Sequence, residues 1–286
     1  MVVQQMLKMV VGGTAVVLTA CLGALYAYQS KLVYPSWAQG ARKHVDTPDL
    51  YGLPYKELRL RTQDGVEIRA FDIRNLRSKG TILVLAPNGG NIGYFLSVAE
   101  LLYRQMGLSV FLYSYRGYGY SEGEPSEQGL KLDADRVMEF MREDEFYRTQ
   151  RLVLYGRSLG GANAIYIARK YGAQCDALIL ENTFLSIPKV IPYVFPYLKY
   201  VSFLCREVWN SEEEIRLVDE TIPILFLSGL KDEIVPPSHM KALFNLSKSS
   251  GKKFVTFADG YHNDTIIQNG YWDVVHDFLQ KHDIIQ

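Results

Sequence analysis

The chain has 286 residues, 48% of them hydrophobic, and its 31 basic and 31 acidic side chains give a formal net charge of zero. This length supports one sizeable hydrophobic core or two small ones. The neutral balance gives no general electrostatic attraction to nucleic acid, so we expect no nucleic-acid partner. Three scattered cysteines, Cys21, Cys175 and Cys205, provide neither a disulfide framework nor a metal site, although one Cys175–Cys205 bridge stays open. We predict no metal and no cofactor.

The N-terminal segment is apolar. Residues 9–30 carry no formal charge, and about 20 apolar residues span the hydrocarbon of a bilayer. Aromatic side chains that prefer the membrane interface cluster at its C-terminal edge: Tyr26, Tyr28, Tyr34 and Trp37. We predict a single-pass membrane anchor over residues 1–31, with the lipid bilayer as its partner. A cleaved signal peptide, with a cleavage site near residues 21–24, is the alternative.

The charges that flank this segment leave its orientation open. Lys8 precedes it, and Lys31, Arg42 and Lys43 follow it, a positive bias too weak to decide. The absence of acidic residues before Asp46 is typical of organellar presequences, but the arginines and amphipathicity of a presequence are missing. We expect residence in an endomembrane, the endoplasmic reticulum first, with the mitochondrion as the alternative.

From residue 55 onward, short apolar runs alternate with helical stretches. A hairpin signal at 62–65, between alternating runs at 57–61 and 66–72, predicts an antiparallel pair at one edge. Continuous apolar runs follow at βαβ spacing: 81–86, 109–113, 151–155, 177–180, 224–227 and 253–257. Strands that are apolar throughout are covered on both faces, which indicates a mostly parallel, doubly wound sheet. We predict this α/β domain over residues 55–286, after a linker at 32–54.

A pentapeptide, Gly156-Arg157-Ser158-Leu159-Gly160, lies between an apolar strand and a small, apolar helical run. This order is the context of a nucleophile elbow, which presents a serine hydroxyl at the head of a helix. Free N–H groups there favour developing negative charge. The sequence predicts Ser158 as the nucleophile of a serine hydrolase.

A second pentapeptide of the same form contains Ser121. Glycines and Pro125 around it prevent a helix from starting directly after the serine. We interpret Ser121 as a loop serine.

Residues 184–221 interrupt the alternation of strands and helices. Three prolines recur at four-residue intervals: Pro188, Pro192 and Pro196. They exclude a regular long helix, and the many large apolar side chains between them disfavour a solvated loop. We predict an inserted cap of short helices over the active site, with Tyr193 and Phe195 lining a substrate pocket. The alternative is that the apolar side chains of this segment pack into the ordinary core beneath a long connection.

A serine hydroxyl needs a base, and the base needs a group to orient it. The nucleophile-elbow arrangement has the chain order serine, acid, histidine. His262 follows the run at 253–257 in a loop that can present a base, and Asp232 follows the run at 224–227, where it can accept the imidazole Nδ1–H. We predict a triad of Ser158, Asp232 and His262.

An oxyanion hole needs two backbone donors. The N–H of Leu159, directly after the nucleophile, is one. The other comes from the turn after the run at 81–86, where Pro87 has no N–H and Asn88 is the best candidate. A phosphate-cradling loop is excluded because the glycines here lack a Lys-Ser/Thr ending.

Several stretches together resemble the membrane-anchored α/β-hydrolase-domain proteins, especially the single-span "domain-containing 13" branch and its fungal bud-emergence relatives. They are residues 88–93, 115–119, 121–123, 156–161, 229–236 and 262–264. The resemblance implies an α/β-hydrolase fold, the same Ser158, Asp232 and His262 triad, and membrane residence. One departure is Ala86-Pro87, where relatives usually carry His-Gly, which removes a side chain that could support the oxyanion loop.

Sister branches of this family are depalmitoylating thioesterases, so the resemblance implies hydrolysis of carboxylic esters or acyl thioesters. The substrate would be an acylated lipid, an acylated protein or a small ester. A serine peptidase is a second enzymatic reading, but the sequence has no visible acidic pair for a substrate amine. A membrane scaffold that keeps the fold without activity is the non-enzymatic alternative, and an intact nucleophile, acid and base argue against it.

Overall fold

A computed structural model describes residues 2–38 and 40–285, apart from some side chains of the first helix. Within these residues, eight strands form one sheet in the order β1-β2-β4-β3-β5-β6-β7-β8. They are β1 (Lys56–Arg61), β2 (Glu67–Ile73), β3 (Gly80–Leu85), β4 (Ser109–Tyr113), β5 (Arg151–Arg157), β6 (Ala177–Glu181), β7 (Ile224–Gly229) and β8 (Lys253–Phe257). The helices are α1 (Val2–Val33), α2 (Leu96–Arg104), α3 (Glu127–Glu143), α4 (Glu145–Arg148), α5 (Leu159–Lys170), α6 (Ile187–Val194), α7 (Ser211–Glu214), α8 (Pro237–Leu246) and α9 (Tyr271–Lys281).

The sheet is antiparallel at one edge and parallel elsewhere. β1 pairs antiparallel with β2, and β2 pairs antiparallel with β4. From β4 through β3 to β8, every pairing is parallel. Every residue of β3, β4, β6 and β7 is buried, because helices cover the central strands on both faces. The prediction of a mostly parallel, doubly wound sheet with an N-terminal antiparallel hairpin is confirmed.

The cap consists of short helices, as its prolines predict. α6 has Pro188 in its first turn and Pro192 inside it, and it ends after eight residues. Single 3-10 turns follow at Pro196–Tyr200 and Ser202–Leu204. A proline removes a backbone donor and clashes with the preceding turn, so this segment changes direction repeatedly above the sheet.

The first helix, α1, has 32 residues and is about 48 Å long at 1.5 Å per residue. Its part from Gly12 to Val33 is long and apolar enough to cross a membrane. The segment at 32–54, expected as a linker, has six buried residues in its described part, and four of them belong to the hydrophobic core: Tyr34, Ala41, Val45 and Leu53. The end of α1 is therefore joined to the domain by a folded segment.

Candidate active site

Ser158 stands at a sharp turn between β5 and α5. Its backbone has φ 53° and ψ −117°, a conformation that residues other than glycine rarely adopt. A Cβ on Gly156 would overlap the backbone of Gly160, and a Cβ on Gly160 would overlap the carbonyl of Leu85. These two glycines allow the close backbone approach that the turn requires. The turn thus places the hydroxyl at the start of α5, as a nucleophile elbow does.

The structure brings the three predicted catalytic residues together. The Oγ of Ser158 lies 3.1 Å from Nε2 of His262, and Nδ1 of His262 lies 2.8 Å from Oδ2 of Asp232. All three residues are buried. Both distances are within hydrogen-bond reach, so His262 can take the Ser158 proton while Asp232 holds the ring.

Asp232 is fixed by its own loop at the end of β7. Its Oδ1 accepts the N–H groups of Ile234, at 2.9 Å, and Val235, at 2.7 Å. The other carboxylate oxygen is thereby directed at His262. The adjacent acid has a different task, because Oε2 of Glu233 accepts the backbone N–H of His262 at 3.1 Å.

Two side chains that sequence reasoning missed hold the histidine loop. The amide nitrogen of Asn182 donates to the carbonyl of His262 at 3.2 Å, and its Oδ1 accepts the N–H of Gly229 at 2.9 Å. Arg157 donates to the same His262 carbonyl at 3.1 Å and to Oδ1 of Asn263 at 2.6 Å. The available signal was the polar pair Glu181-Asn182, which directly follows the apolar run of β6.

The candidate oxyanion donors lie beside the nucleophile. Leu159 is the first residue of α5, so its N–H has no partner within the helix. Asn88 follows β3 and lines the same cavity as Ser158. The hydroxyls of Tyr115 and Tyr118 donate to the carbonyls of Ala86 and Asn88, each at 2.8 Å. These two tyrosines support the loop after β3, which carries Asn88.

Ser121 has a structural position. Its Oγ donates to the carbonyl of Ser114 at 2.8 Å and accepts the N–H of Arg69 at 2.9 Å. The side chain is buried between two backbone segments. Because both contacts occupy the hydroxyl, this serine holds the loop after β4 against β2.

Beside Ser158 the structure has a cavity of about 890 Å³ with mostly apolar walls. His262, Leu159 and Asn88 line it too, so the candidate triad and oxyanion donors face one space. The volume is near the upper end of the range of about 300–1,000 Å³ that is usual for small-molecule sites. An extended apolar group can therefore lie next to the serine hydroxyl.

Of the two cap residues predicted to line the pocket, the structure brings only one to the cavity. Phe195 lines it together with Ile191 and Val194 of α6. Tyr193 instead packs edge-on against His239, with 5.8 Å between the ring centroids, and lines a separate hollow. Successive helix positions differ by about 100°, so Tyr193 points away from the face that carries Ile191 and Val194. The prediction that Tyr193 lines the substrate pocket is therefore wrong.

Comparison with known proteins identifies the family. The family described as serine aminopeptidase, S33 matches residues 77–214. An uncharacterized membrane protein of Saccharomyces cerevisiae is 59% identical over 272 residues, which cover 95% of this chain and 96% of that protein. Protein bem46 of Schizosaccharomyces pombe is 45% identical, over 92% of this chain and 89% of its own. The chain belongs to the α/β-hydrolase family that includes bem46.

Other comparisons agree with this assignment. The α/β-hydrolase domain-containing protein WAV2 of Arabidopsis thaliana is 36% identical over 93% of this chain and 92% of its own. A Pyrococcus furiosus esterase has a TM-score of 0.70 at 19% identity, over 83% of this chain and 95% of that one. An α/β hydrolase of Vibrio vulnificus has a TM-score of 0.73 at 19% identity, over 88% and 92%. At this identity the two structures establish the fold alone, and the predicted family and α/β-hydrolase fold are confirmed.

The remaining candidate nucleophiles are thiols. Cys21, Cys175 and Cys205 are all free. Burial raises the pKa of Cys175 to about 12, which keeps it protonated and unreactive at neutral pH. Within residues 2–38 and 40–285, no cluster of histidine, cysteine and carboxylate side chains is arranged to hold a metal ion. Cys205 also lines the cavity, but burial raises the pKa of its thiol, whereas Ser158 is hydrogen-bonded to His262, so Ser158 is the candidate nucleophile in this cavity.

Proposed function

We propose that this chain is a membrane-anchored serine hydrolase that cleaves carboxylic esters or acyl thioesters. The observation that carries the proposal is the hydrogen-bonded series from Ser158 through His262 to Asp232, at 3.1 and 2.8 Å, beside an apolar cavity. The apolar helix α1 and a 59% identical relative that is named a membrane protein support the anchoring. An endomembrane, the endoplasmic reticulum first, is the proposed compartment.

The reaction would proceed through an acyl-enzyme. His262 Nε2 takes the hydroxyl proton as Ser158 Oγ bonds to the acyl carbon, and the backbone N–H groups of Leu159 and Asn88 donate to the oxyanion. The C–O or C–S bond then breaks, and the proton on His262 passes to the leaving alkoxide or thiolate. A water molecule, deprotonated by the same nitrogen, then attacks the acyl carbon. The bond between Ser158 Oγ and the acyl carbon breaks, the carboxylic acid leaves, and the proton on His262 returns to Oγ.

The chemistry of the cavity favours esters and thioesters over peptides. An aminopeptidase must bind the free amine of its substrate, for which carboxylates are the usual partners. Among the described residues that line this cavity, none is acidic. The walls are mostly apolar and suit an acyl chain, which makes acylated lipids and acylated proteins, including palmitoyl-proteins, the proposed substrates.

The test is covalent labelling by a fluorophosphonate probe, followed by hydrolysis of p-nitrophenyl esters and acyl thioesters. We expect Ser158→Ala to abolish labelling and to lower turnover by about four or more orders of magnitude. The matched control is Ser121→Ala, which removes the other serine of a G-x-S-x-G pentapeptide and should leave labelling nearly intact. Equal labelling of the wild type and Ser158→Ala would show that the nucleophile is another residue.

A further inference from the structure

The helix α1 contributes part of the wall of the cavity beside Ser158. Residues at spacings of three and four along its last third face the cavity: Leu22, Leu25, Tyr26, Gln29, Leu32 and Val33. On a helix this spacing defines a single face. The same cavity is lined by cap residues such as Val194 and Leu198, and by Ser158. The helix that could cross the bilayer is thus also part of the space beside the candidate nucleophile.

Specific contacts fix this helix in position, and we call them the anchor clamp. The carboxylate of Glu207, itself buried, accepts the hydroxyls of Ser30 at 2.7 Å and Tyr34 at 2.9 Å. Oε1 of Gln29 accepts the backbone N–H of Arg206 at 2.6 Å. Because the clamp joins the end of α1 to the cap, the face that α1 turns toward the cavity is determined.

A further hydrogen bond ties the end of α1 to the loop after β3, which carries Asn88. The amide nitrogen of Asn88 donates to the carbonyl of Val33 at 2.8 Å. This carbonyl lies in the last turn of α1, where helical partners are missing. The candidate oxyanion loop and the helix end are therefore neighbours, and α1 approaches the reaction centre itself.

The charge-free stretch at 9–30 has 22 residues and is about 33 Å long as a helix, which matches the hydrocarbon thickness of about 30 Å. Its last part, from Leu22 to Ser30, is also the part that lies along the cavity and the clamp. If α1 spans the bilayer, the mouth of the cavity lies at or below the membrane surface. The adjoining cap has three aromatic side chains that are more than 70% exposed, a type that favours this interface: Tyr197, Tyr200 and Phe203.

We propose that α1 is a wall of the acyl-binding site and that the acyl chain of the substrate enters from the bilayer between α1 and the cap. The proposal rests on the proposed function. It restricts the substrates to esters or thioesters whose acyl chain is embedded in the membrane. A chain that moves from lipid into an apolar cavity along an apolar helix avoids exposure to water. A water-soluble short ester would have no need of the α1 wall.

The first experiment requires no turnover. Full-length Ser158→Ala protein in phosphatidylcholine vesicles is irradiated with a palmitoyl ester that carries a diazirine in mid-chain, and the adducts are mapped. We expect adducts on both α1 and the cap, and about tenfold fewer in Ser158→Ala/Leu25→Trp, because the added indole fills the passage. The control Ser158→Ala/Ala27→Trp places the same ring on the opposite, exposed face of α1 and should keep the adducts. Adducts unaffected by Leu25→Trp, or confined to the face of Ala27, would overturn the proposal.

The second experiment measures a ratio in the otherwise wild-type protein in the same vesicles. Turnover of a palmitoyl ester, divided by turnover of p-nitrophenyl acetate, should fall about tenfold in Leu25→Trp and stay constant in Ala27→Trp. An equal loss of both activities leaves the ratio unchanged and overturns the proposal. Palmitoylglycerol and an S-palmitoylated transmembrane peptide serve as separate long-chain substrates. The substrate with the larger ratio of turnover to that of p-nitrophenyl acetate shows whether the acyl chain comes from a lipid or from a protein. Wild-type protein that hydrolyses none of these compounds would refute the proposed function, and the crosslinking result would still decide the role of α1.

Discussion

The candidate base, His262, is held at several points before any substrate arrives. Asp232 fixes its ring at Nδ1, and Glu233 accepts its backbone N–H. Asn182 and Arg157 both donate to its carbonyl. Side chains restrained in this way lose little freedom when a reaction begins, which is the preorganisation that general-base catalysis requires.

We expect a second histidine, His239, to make the free energy of unfolding depend on pH. His239 is buried at the start of α8, and its Nδ1 accepts the N–H of Leu185 at 3.3 Å. Burial, together with nearby Lys189, lowers the pKa of His239, whereas Asp232 and Glu212 oppose that shift. The unfolded chain therefore takes up this proton first as the pH falls below about 6.5, and the free energy of unfolding decreases there.

We expect His239→Gln to flatten that decrease. The measurement is the urea midpoint at about pH 7.5 and about pH 5.5, on either side of the ordinary histidine pKa. The control is His276→Gln, since His276 lies on the terminal helix with a half-exposed side chain. An unchanged slope in His239→Gln would assign the pH dependence to other groups.

The loop after β3 depends on tyrosine hydroxyls from another element. Tyr118→Phe removes the hydroxyl that donates to the Asn88 carbonyl, and we expect kcat to fall about five- to tenfold, the effect of one lost hydrogen bond. The matched control is Tyr120→Phe, two residues away and half exposed, which should leave kcat unchanged. Steady-state kinetics with a p-nitrophenyl ester measure both. A fall in both variants, or in neither, would contradict a supporting role of Tyr118 in the oxyanion loop.

At the level of elements, we expect the cap to determine which acyl-chain lengths fit the cavity. Each fully buried CH₂ contributes about 0.8 kcal/mol, so with only part of that burial realised, extending an ester from four to eight carbons should raise kcat/KM by about ten- to a hundredfold. Phe195→Ala should reduce this gain, because Phe195 lines the cavity. Tyr193→Ala is the matched control, because Tyr193 lines the separate hollow. If kcat/KM does not change with chain length in the wild type, or if the two variants have equal effects, the cap only packs against the domain and does not form the acyl pocket.

The strands could be predicted almost to the residue, because a buried parallel strand is an uninterrupted apolar run. The run predicted at 109–113 is β4 itself, and the run at 177–180 falls one residue short of β6. The missing residue is Glu181, a charged side chain that local hydropathy cannot assign to a strand. In the fold its carboxylate accepts the hydroxyls of Tyr155 and Tyr271, which makes its burial tolerable.

The candidate triad could be predicted because motif context and chain order restrict the choice of serine, acid and base. The surroundings could not be predicted. Val33 and Asn88 are 55 residues apart, and Ser30 and Glu207 are 177 residues apart, distances over which periodicity carries no information. The segment at 32–54 looked like a linker for the same reason, since Tyr34 is buried by its contacts with Glu207 and Trp209.

At the scale of the whole molecule, the hydrogen bond from Asn88 to the carbonyl of Val33 links the end of α1 to the candidate oxyanion loop. A transmembrane helix adapts to a thinner or thicker bilayer by changing its tilt. Here such a change would pull on the residue that is the candidate second oxyanion donor. Turnover of a water-soluble ester should therefore differ between vesicles of short-chain and long-chain phosphatidylcholine, and Asn88→Ala should remove the difference. Equal rates in the two lipids would contradict this expectation and show that helix tilt does not reach the candidate oxyanion donor. A dependence on bilayer thickness would mean that the membrane regulates the rate of the enzyme.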